Sequence, residues 1–284
     1  GRGWWRRRCA HPPCAGGGVE LRMSGLPRRY EGEPRSSDGE PRPFCVDGEL
    51  VKSLHFDLGE TQSRMSLRDP AALVLKYTRT MMGGLLFNPT PGRIAMIGLG
   101  GGSLTKFCHR HLPEAIIDVA EVNPRVLQLR DDFMIPPDDA RLSVHLADGA
   151  DFVRRLEFRQ TLDLLLVDAY GPGGIPEHLC TAEFHRDCLR TLGVGGVAVF
   201  NLFHGFPDSA RCLAHIRAVF GESVLVVGDG DCSNDIVFAW RAPLDDRYLK
   251  AQSRPTRIPR RAWSQLEAAV DRVRGAWRDR EAEI

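Results

Sequence analysis

The stretch that most constrains this chain is Arg93 to Glu121, RIAMIGLGGGSLTKFCHRHLPEAIIDVAE. Residues 93–98 form an apolar run long enough for one buried parallel strand. The turn Gly98-Leu-Gly-Gly-Gly follows, and Ser103 is placed as the N-cap of a helix reaching about His111. Residues 115–120 make a second apolar run, which ends on the carboxylate of Glu121. Glycine at 98, 100, 101 and 102 removes every Cβ where the chain turns, so a ligand can lie directly on the backbone. An acidic residue at the tip of the neighbouring strand can accept hydrogen bonds from both hydroxyls of a ribose. The stretch is built to hold a nucleoside.

The same alternation continues downstream. A helix is predicted over 123–133, with Asn123 as N-cap and Pro124 at its first position, and a strand over 141–146 leads into Ala147-Asp148-Gly149. A helix over 150–157 is followed by the apolar strand 162–167, which ends in Asp168. Next come a helix over 181–192 closed by Gly193, a strand over 196–202, and a helix over 207–220. Strands at 223–227 and 235–240, joined by a short polar loop, read as an antiparallel hairpin at one edge. The pattern predicts an α/β fold, a doubly wound, mainly parallel seven-stranded sheet.

Four regions follow. Residues 1–43 are rich in Gly, Pro, Arg and Ser without periodicity and read as a disordered tail; the chain begins at Gly1, and Met23 could be its true start. Residues 44–91 hold a small β element, with the turn signal Asp47-Gly48, a break at Gly59 and a third strand over 62–67. A helix over 69–87 completes that region, and residues 92–244 form the main domain. The tail, 245–284, carries an amphipathic helix over 260–280 with Trp263, Leu266, Val270, Val273 and Trp277 on one side. That side either docks on its own domain or meets a second copy in a homodimer.

Composition excludes several classes. A net charge of +1 argues against a nucleic-acid binder, and no apolar run reaches the roughly 18 residues of a membrane span. The eight cysteines form no CxxC pair, read as free, and point to a reducing cytoplasm. Cys9, His11 and Cys14 lack a second ligand pair, and His109 and His111 face different sides of a helix. His178, Cys180, His185 and Cys188 read as ordinary core and surface positions, so no metal is expected.

Ligands of open α/β sheets bind at the carboxyl ends of the strands, near the switch in strand order. There the first four main strands deliver Gly98, Glu121, Asp148 and Asp168. The turn could open an NAD site. The extra Asp148-Gly149, which suits an adenine amino group, and the edge hairpin both weigh against a dinucleotide. Tyr170, beside Asp168, either stacks over the ligand or covers the pocket.

Across about residues 44–241 the sequence resembles the spermidine/spermine synthase superfamily of the class I S-adenosylmethionine (SAM) methyltransferase-like fold. The resemblance rests on Gln62-Ser63, IGLGGGSL, VAEVNPRVL, ADGADFV, LLLVDAYGPGG and TAEFHRDCLRTLGVGGVAVFNL. It implies SAM or decarboxylated SAM as co-substrate, without a metal, and a small amine as acceptor. It assigns Glu121 to the ribose hydroxyls and Asp148 to the adenine amino group. Gly98, Gly100, Gly101 and Gly102 would pass beneath the methionine-derived part, with Gln62 and Gly149 in the same cofactor site. Tyr77 and Tyr170 fall on the substrate side. Asp168 would draw a proton from the attacking amine while the 3-aminopropyl group leaves sulfur.

Departures from the family pattern are equally specific. The glycine loop, GLGGGS, lacks the family's aspartate, Gly171 stands where a second aspartate would hold the polyamine, and YHE is Tyr77-Thr78-Arg79. The tyrosine before the last strand has no counterpart in GDGDCSND. Two other functions therefore stand beside aminopropyl transfer: a SAM-dependent methyltransferase on an unknown acceptor, and a non-catalytic nucleoside-binding or interaction protein of the same fold.

Overall fold

The computed structural model describes residues 43–56, 61–171, 173–204, 208–230, 234–251, 253–256 and 258–283. The Cys9-His11-Cys14 cluster, Met23 and Gly59 lie outside them. β1 (Phe44–Asp47), β2 (Val51–His55) and β3 (Ser63–Ser66) pair antiparallel in that order, and the Gly48 N–H closes the first turn on the Val51 carbonyl at 2.8 Å.

The helix expected over 69–87 is only partly formed: α1 (Lys76–Met81) runs into a 3₁₀ turn, Met82–Leu86. Upstream, side chains take the backbone bonds a helix would have made. Leu73 N–H donates to Gln265 Oε1 at 2.9 Å, and Arg79 Nε donates to the Leu73 carbonyl at 2.6 Å.

β4 (Arg93–Ile97), α2 (Ser103–His111), β5 (Ile116–Glu121), α3 (Pro124–Gln128) and β6 (Leu142–Leu146) build one half of the main sheet. α4 (Gly149–Val153), β7 (Leu162–Val167), α5 (Ala182–Thr191), β8 (Leu192–Phe203), α6 (Asp208–Phe220), β9 (Val224–Gly228) and β10 (Asn234–Trp240) build the other. The strand order is β6-β5-β4-β7-β8-β10-β9. Successive strands run outward from β4 one way and from β7 the other, so the switch point lies between β4 and β7. β10 is antiparallel to both β8 and β9, which puts the predicted hairpin at the edge with β10 on its inner side.

Alternate residues of each strand point to opposite faces. Ile94, Met96, Val119, Leu164, Leu166 and Phe238 pack on one face with Phe107 of α2. Ala95, Ile97, Leu165, Val167, Phe200 and Val237 pack on the other with Phe152, Phe184 and Ile216. After α7 (Arg247–Lys250), the long helix α8 (Arg260–Ala282) buries Trp263, Leu266, Val270, Val273 and Trp277 in the first core. Of the two roles open to its apolar side, α8 takes the one on its own domain.

Several boundaries shift for local reasons. The helix expected over 123–133 stops at Gln128; beyond it Met134 has a positive φ of 51° and Lys106 Nζ holds the Phe133 carbonyl at 2.7 Å. α4 ends at Val153, and a separate 3₁₀ turn, Leu156–Phe158, inserts Phe158 into the core. β8 starts earlier than expected: Gly193 and Gly196 are strand residues, and a Cβ at Gly196 would lie 2.4 Å from the Leu162 carbonyl. One reading is corrected outright. Cys180 and Cys212, taken as free, form a disulfide across 32 positions, while Cys45, Cys108 and Cys188 are free thiols. Spacing could not show that pair, because only the packing of α6 against the turn before α5 brings the two together. Among the described residues no helix is long and apolar enough to cross a membrane.

Candidate active site

A cavity of about 570 Å³ opens at the carboxyl ends of β4, β5, β7 and β8. Its floor is the glycine turn. Gly98 has φ +92°, and an added Cβ would sit 2.2 Å from the Asp168 carbonyl, so the close approach of β4 and β7 permits only glycine there. A Cβ on Gly100 would meet only Ser63 Cβ, at 3.8 Å, so the space above it is open. Gly98 and Gly100 line the cavity. Gly101 and Gly102 lie behind it and serve packing: Cβ atoms there would fall 2.7 Å from Ser63 Oγ and 2.5 Å from Ile135. The turn offers a cradle that side chains would fill.

Glu121 ends β5 almost fully buried. Its Oε2 accepts from the Leu99 N–H at 2.9 Å and its Oε1 from the Asn123 N–H at 2.8 Å. The turn thus fixes its own acidic partner, and each oxygen keeps a further acceptor position for a ligand hydroxyl. Asp148 N-caps α4: its Oδ1 accepts from Ala150 N–H at 2.8 Å and Asp151 N–H at 3.3 Å, and its Oδ2 lies 2.7 Å from His178 Nε2. Burial pushes this carboxyl upward, but the Ala150 N–H and His178 outweigh it and hold the group below its ordinary value. Gly149 lets α4 begin against β4, since a Cβ would come 2.5 Å from Ile97. Gln62, tied by its N–H to the Leu54 carbonyl, forms part of the wall.

Asp168 sits at the end of β7, its carboxylate gripped from two elements. Tyr77 OH donates to Oδ2 at 3.0 Å and Asn201 Nδ2 donates to Oδ1 at 2.8 Å. Burial drives its pKa above the ordinary carboxylate value against the pull of those two bonds. The Tyr77 phenol is raised well above its own ordinary value by burial and by the Asp168 charge. Tyr170 donates its hydroxyl to the Asn201 carbonyl at 2.8 Å and accepts from the Phe203 N–H, so its ring is anchored on β8 as a wall of the cavity.

Every predicted site residue except Gly101 and Gly102 therefore lines one cavity. Sequence reading missed Asn201, Asn234 and Asp229, which line it too and are buried. A signal existed for Asn201: an amide interrupting the apolar strand GGVAVFNLF needs a buried partner. His178, read as an ordinary position, is on the wall. Among the described residues no group of three or more His, Cys, Asp or Glu side chains is arranged to hold a metal ion.

No family model matches the chain. Its fold is shared with a probable spermidine synthase from Corynebacterium glutamicum, at TM-score 0.60 and 21% identity over 70% of this chain and 77% of that one. Human methyltransferase-like protein 13 in complex with SAH gives TM-score 0.53 and 24% identity over 69% and 92%. The strand order is thus that of the class I SAM methyltransferase-like fold. The polyamine aminopropyltransferase of Chromobacterium violaceum is 37% identical over 192 residues, 67% of this chain and 73% of that protein. That of Neisseria meningitidis serogroup A is 32% identical over 211 residues, 73% and 80%. The chain belongs to the polyamine aminopropyltransferase family, and it is an enzyme.

Proposed function

We propose that this enzyme moves the 3-aminopropyl group of decarboxylated SAM to a primary amine of a di- or polyamine, with Asp168 as general base. The observation that carries this reading is the placement of the Asp168 carboxylate, part-buried between Tyr77 and Asn201 at the switch point beside the glycine turn. The amine nitrogen forms a bond to the propyl carbon on sulfur as the C–S bond breaks and its electron pair returns to sulfur. Asp168 takes the amine's proton, and the products are a substituted amine and methylthioadenosine. A base whose pKa is lifted by burial is better matched to an ammonium proton than a solvated aspartate.

In this reading Glu121 receives the ribose hydroxyls and Asp148 the adenine amino group, its Oδ2 shared with or released by His178. Gly98 and Gly100 lie under the sulfonium-bearing chain, Gln62 and Gly149 flank it, and Gly101 and Gly102 hold the turn's shape. Tyr77 and Tyr170 border the acceptor. A diammonium acceptor needs a second anion, which Gly171 cannot supply. Asp229, 3% exposed on the cavity wall beside Asn234, is the group we assign to it.

The proposal includes a small-molecule acceptor in the cytoplasm, with no nucleic acid, membrane or metal. It does not require a homodimer through α8, whose apolar side is covered by its own domain. One observation favours methyl transfer as a second reading: the glycine loop carries no aspartate to repel the carboxylate of SAM itself. Calorimetric titration with SAM, decarboxylated SAM and methylthioadenosine decides between them. Preference for decarboxylated SAM supports aminopropyl transfer, preference for SAM moves the assignment to methyl transfer, and binding of none removes the nucleoside site.

A further inference from the structure

Asp168 does not hold its orientation alone. Asn201 Nδ2 donates to its Oδ1 at 2.8 Å, and Asn201 Oδ1 in turn accepts from Asn234 Nδ2 at 2.7 Å. Both amides are buried, at 5% and 8% exposure. In the antiparallel pairing of β8 with β10, Asn201 stands opposite Ile236 and Asn234 opposite Phe203. Residues two apart share a sheet face, so Asn234 reaches Asn201 on the diagonal. The Asn201 backbone is pinned as well, its carbonyl accepting from the Tyr170 hydroxyl.

An amide has a donor edge and an acceptor edge, and which edge faces Asp168 matters. With Oδ1 occupied by the Asn234 donor, Asn201 can present only its NH₂ to the carboxylate. A flipped amide would set oxygen against carboxylate oxygen and NH₂ against NH₂, losing both bonds. We infer that Asn201 and Asn234 form a positioning relay for the base, in which the edge hairpin dictates the amide orientation that keeps Asp168 bound by one donor on each oxygen. The inference rests on the reading of Asp168 as the base. The relay leaves one lone pair on each carboxylate oxygen aimed away from its protein donors, and the incoming amine must use one of them. Among the described residues, Tyr77 from α1 and Tyr170 from the loop after β7 are titratable side chains that interact with Asp168, and burial raises both phenols above their ordinary value; Asp229 lines the same cavity beside Asn234.

Asn234→Asp is the sharpest test, because it keeps size while turning the donor edge into an acceptor. Asn201 would then swing its NH₂ toward the new carboxylate and show oxygen to Asp168. With decarboxylated SAM and putrescine as probes, we expect kcat to fall by about 10²-fold and the acid limb of the kcat–pH profile to move up by about one pH unit. The Kd for methylthioadenosine should stay within about threefold, which separates positioning of the base from loss of the pocket. Asn234→Ala removes the donor without adding charge and should show the same shifts at about a tenth of the effect on kcat; if the aspartate variant does not fold, the alanine variant decides by the same readouts.

A readout free of turnover is the ¹³C carboxylate titration of Asp168 in the resting protein, assigned by its absence in Asp168→Asn. An upward shift in Asn234→Ala, which adds no charge that would itself raise Asp168, supports the relay even if the parent proves inactive with these probes, in which case only the assigned reaction falls. An Asp168 titration unmoved in a variant that melts like the parent overturns the relay. So does a kcat loss matched by an equal loss of methylthioadenosine binding.

Discussion

The two halves of the cavity are built differently. The half proposed for the nucleoside is local: Glu121 binds the Leu99 amide 22 positions back and the Asn123 amide two ahead, and Asp148 caps the helix that begins on the next residue. The half proposed for the acceptor is assembled from a distance. Asp168 meets Tyr77 across 91 positions and Asn201 across 33, and Asn201 meets Asn234 across another 33. Local backbone bonds make a site that survives as a motif, whereas long-range side-chain bonds make one that any single strand can retune. Of the departures from the family pattern, Gly171 and GDGDCSND fall on the second kind, whereas the aspartate missing from GLGGGS falls on the first.

If the contrast is right, substitutions in the acceptor half should change rate and those in the nucleoside half should change affinity. The largest effect is expected at Asp168→Asn, with kcat down by about 10³-fold and methylthioadenosine affinity kept. Because the native pKa of Asp168 is raised, its ionised form opposes folding: the stability this group contributes is present at low pH and is lost as pH rises through the raised value. The neutral variant should therefore melt no lower than the parent at pH 7 by calorimetry. The same shift places the acid limb of the parent's kcat–pH profile above the ordinary aspartate value of 3.8, with activity lost as pH falls through it.

Next comes Glu121→Gln, where losing a charged acceptor should weaken methylthioadenosine binding by about 10–100-fold, taking roughly 1.5–3 kcal/mol for a hydrogen bond to a charged group. Its kcat at saturation should change less than that of Asp168→Asn. Asp229→Asn should raise the KM for putrescine by about tenfold, near 1.4 kcal/mol, while a monoamine of similar length loses nothing. An equal loss for both amines would remove Asp229 from the acceptor site. The smallest effect belongs to His178→Ala. The imidazole is half exposed, so losing its contact with Asp148 should alter nucleoside Kd by less than about fivefold, as for other solvent-facing ion pairs.

The same division governs what the sequence revealed. The sheet, its switch point and the rim of Gly98, Glu121, Asp148 and Asp168 were readable because each is written in a short run: apolar strand, turn residue, acid. Gly101 and Gly102 were read as ligand-facing because spacing cannot say which glycines of a turn point outward and which face Ser63 and Ile135. Asn234 and Asp229 read as loop residues because only the folding of the edge hairpin against β8 brings them to the cavity, and the amide of Asn201 within an apolar strand signals a buried partner without naming it. The helices cut short at Gln128 and Val153 kept a helical pattern but yielded to Phe133 and Phe158, whose burial demanded a different backbone.

The Cys180–Cys212 bridge has a consequence that concerns the denatured chain more than the native one. The bridge joins residues 32 positions apart, and the covalent ring it closes contains α5 and all of β8, Asn201 included. In the chain-entropy account, closing a ring of that size removes about 3–4 kcal/mol of freedom from the unfolded ensemble. Oxidation would thus raise the melting temperature while leaving the cavity's contacts as they are. Where cellular thiols keep the pair reduced, the two buried sulfurs remain as apolar neighbours, and the domain must stand without that tether.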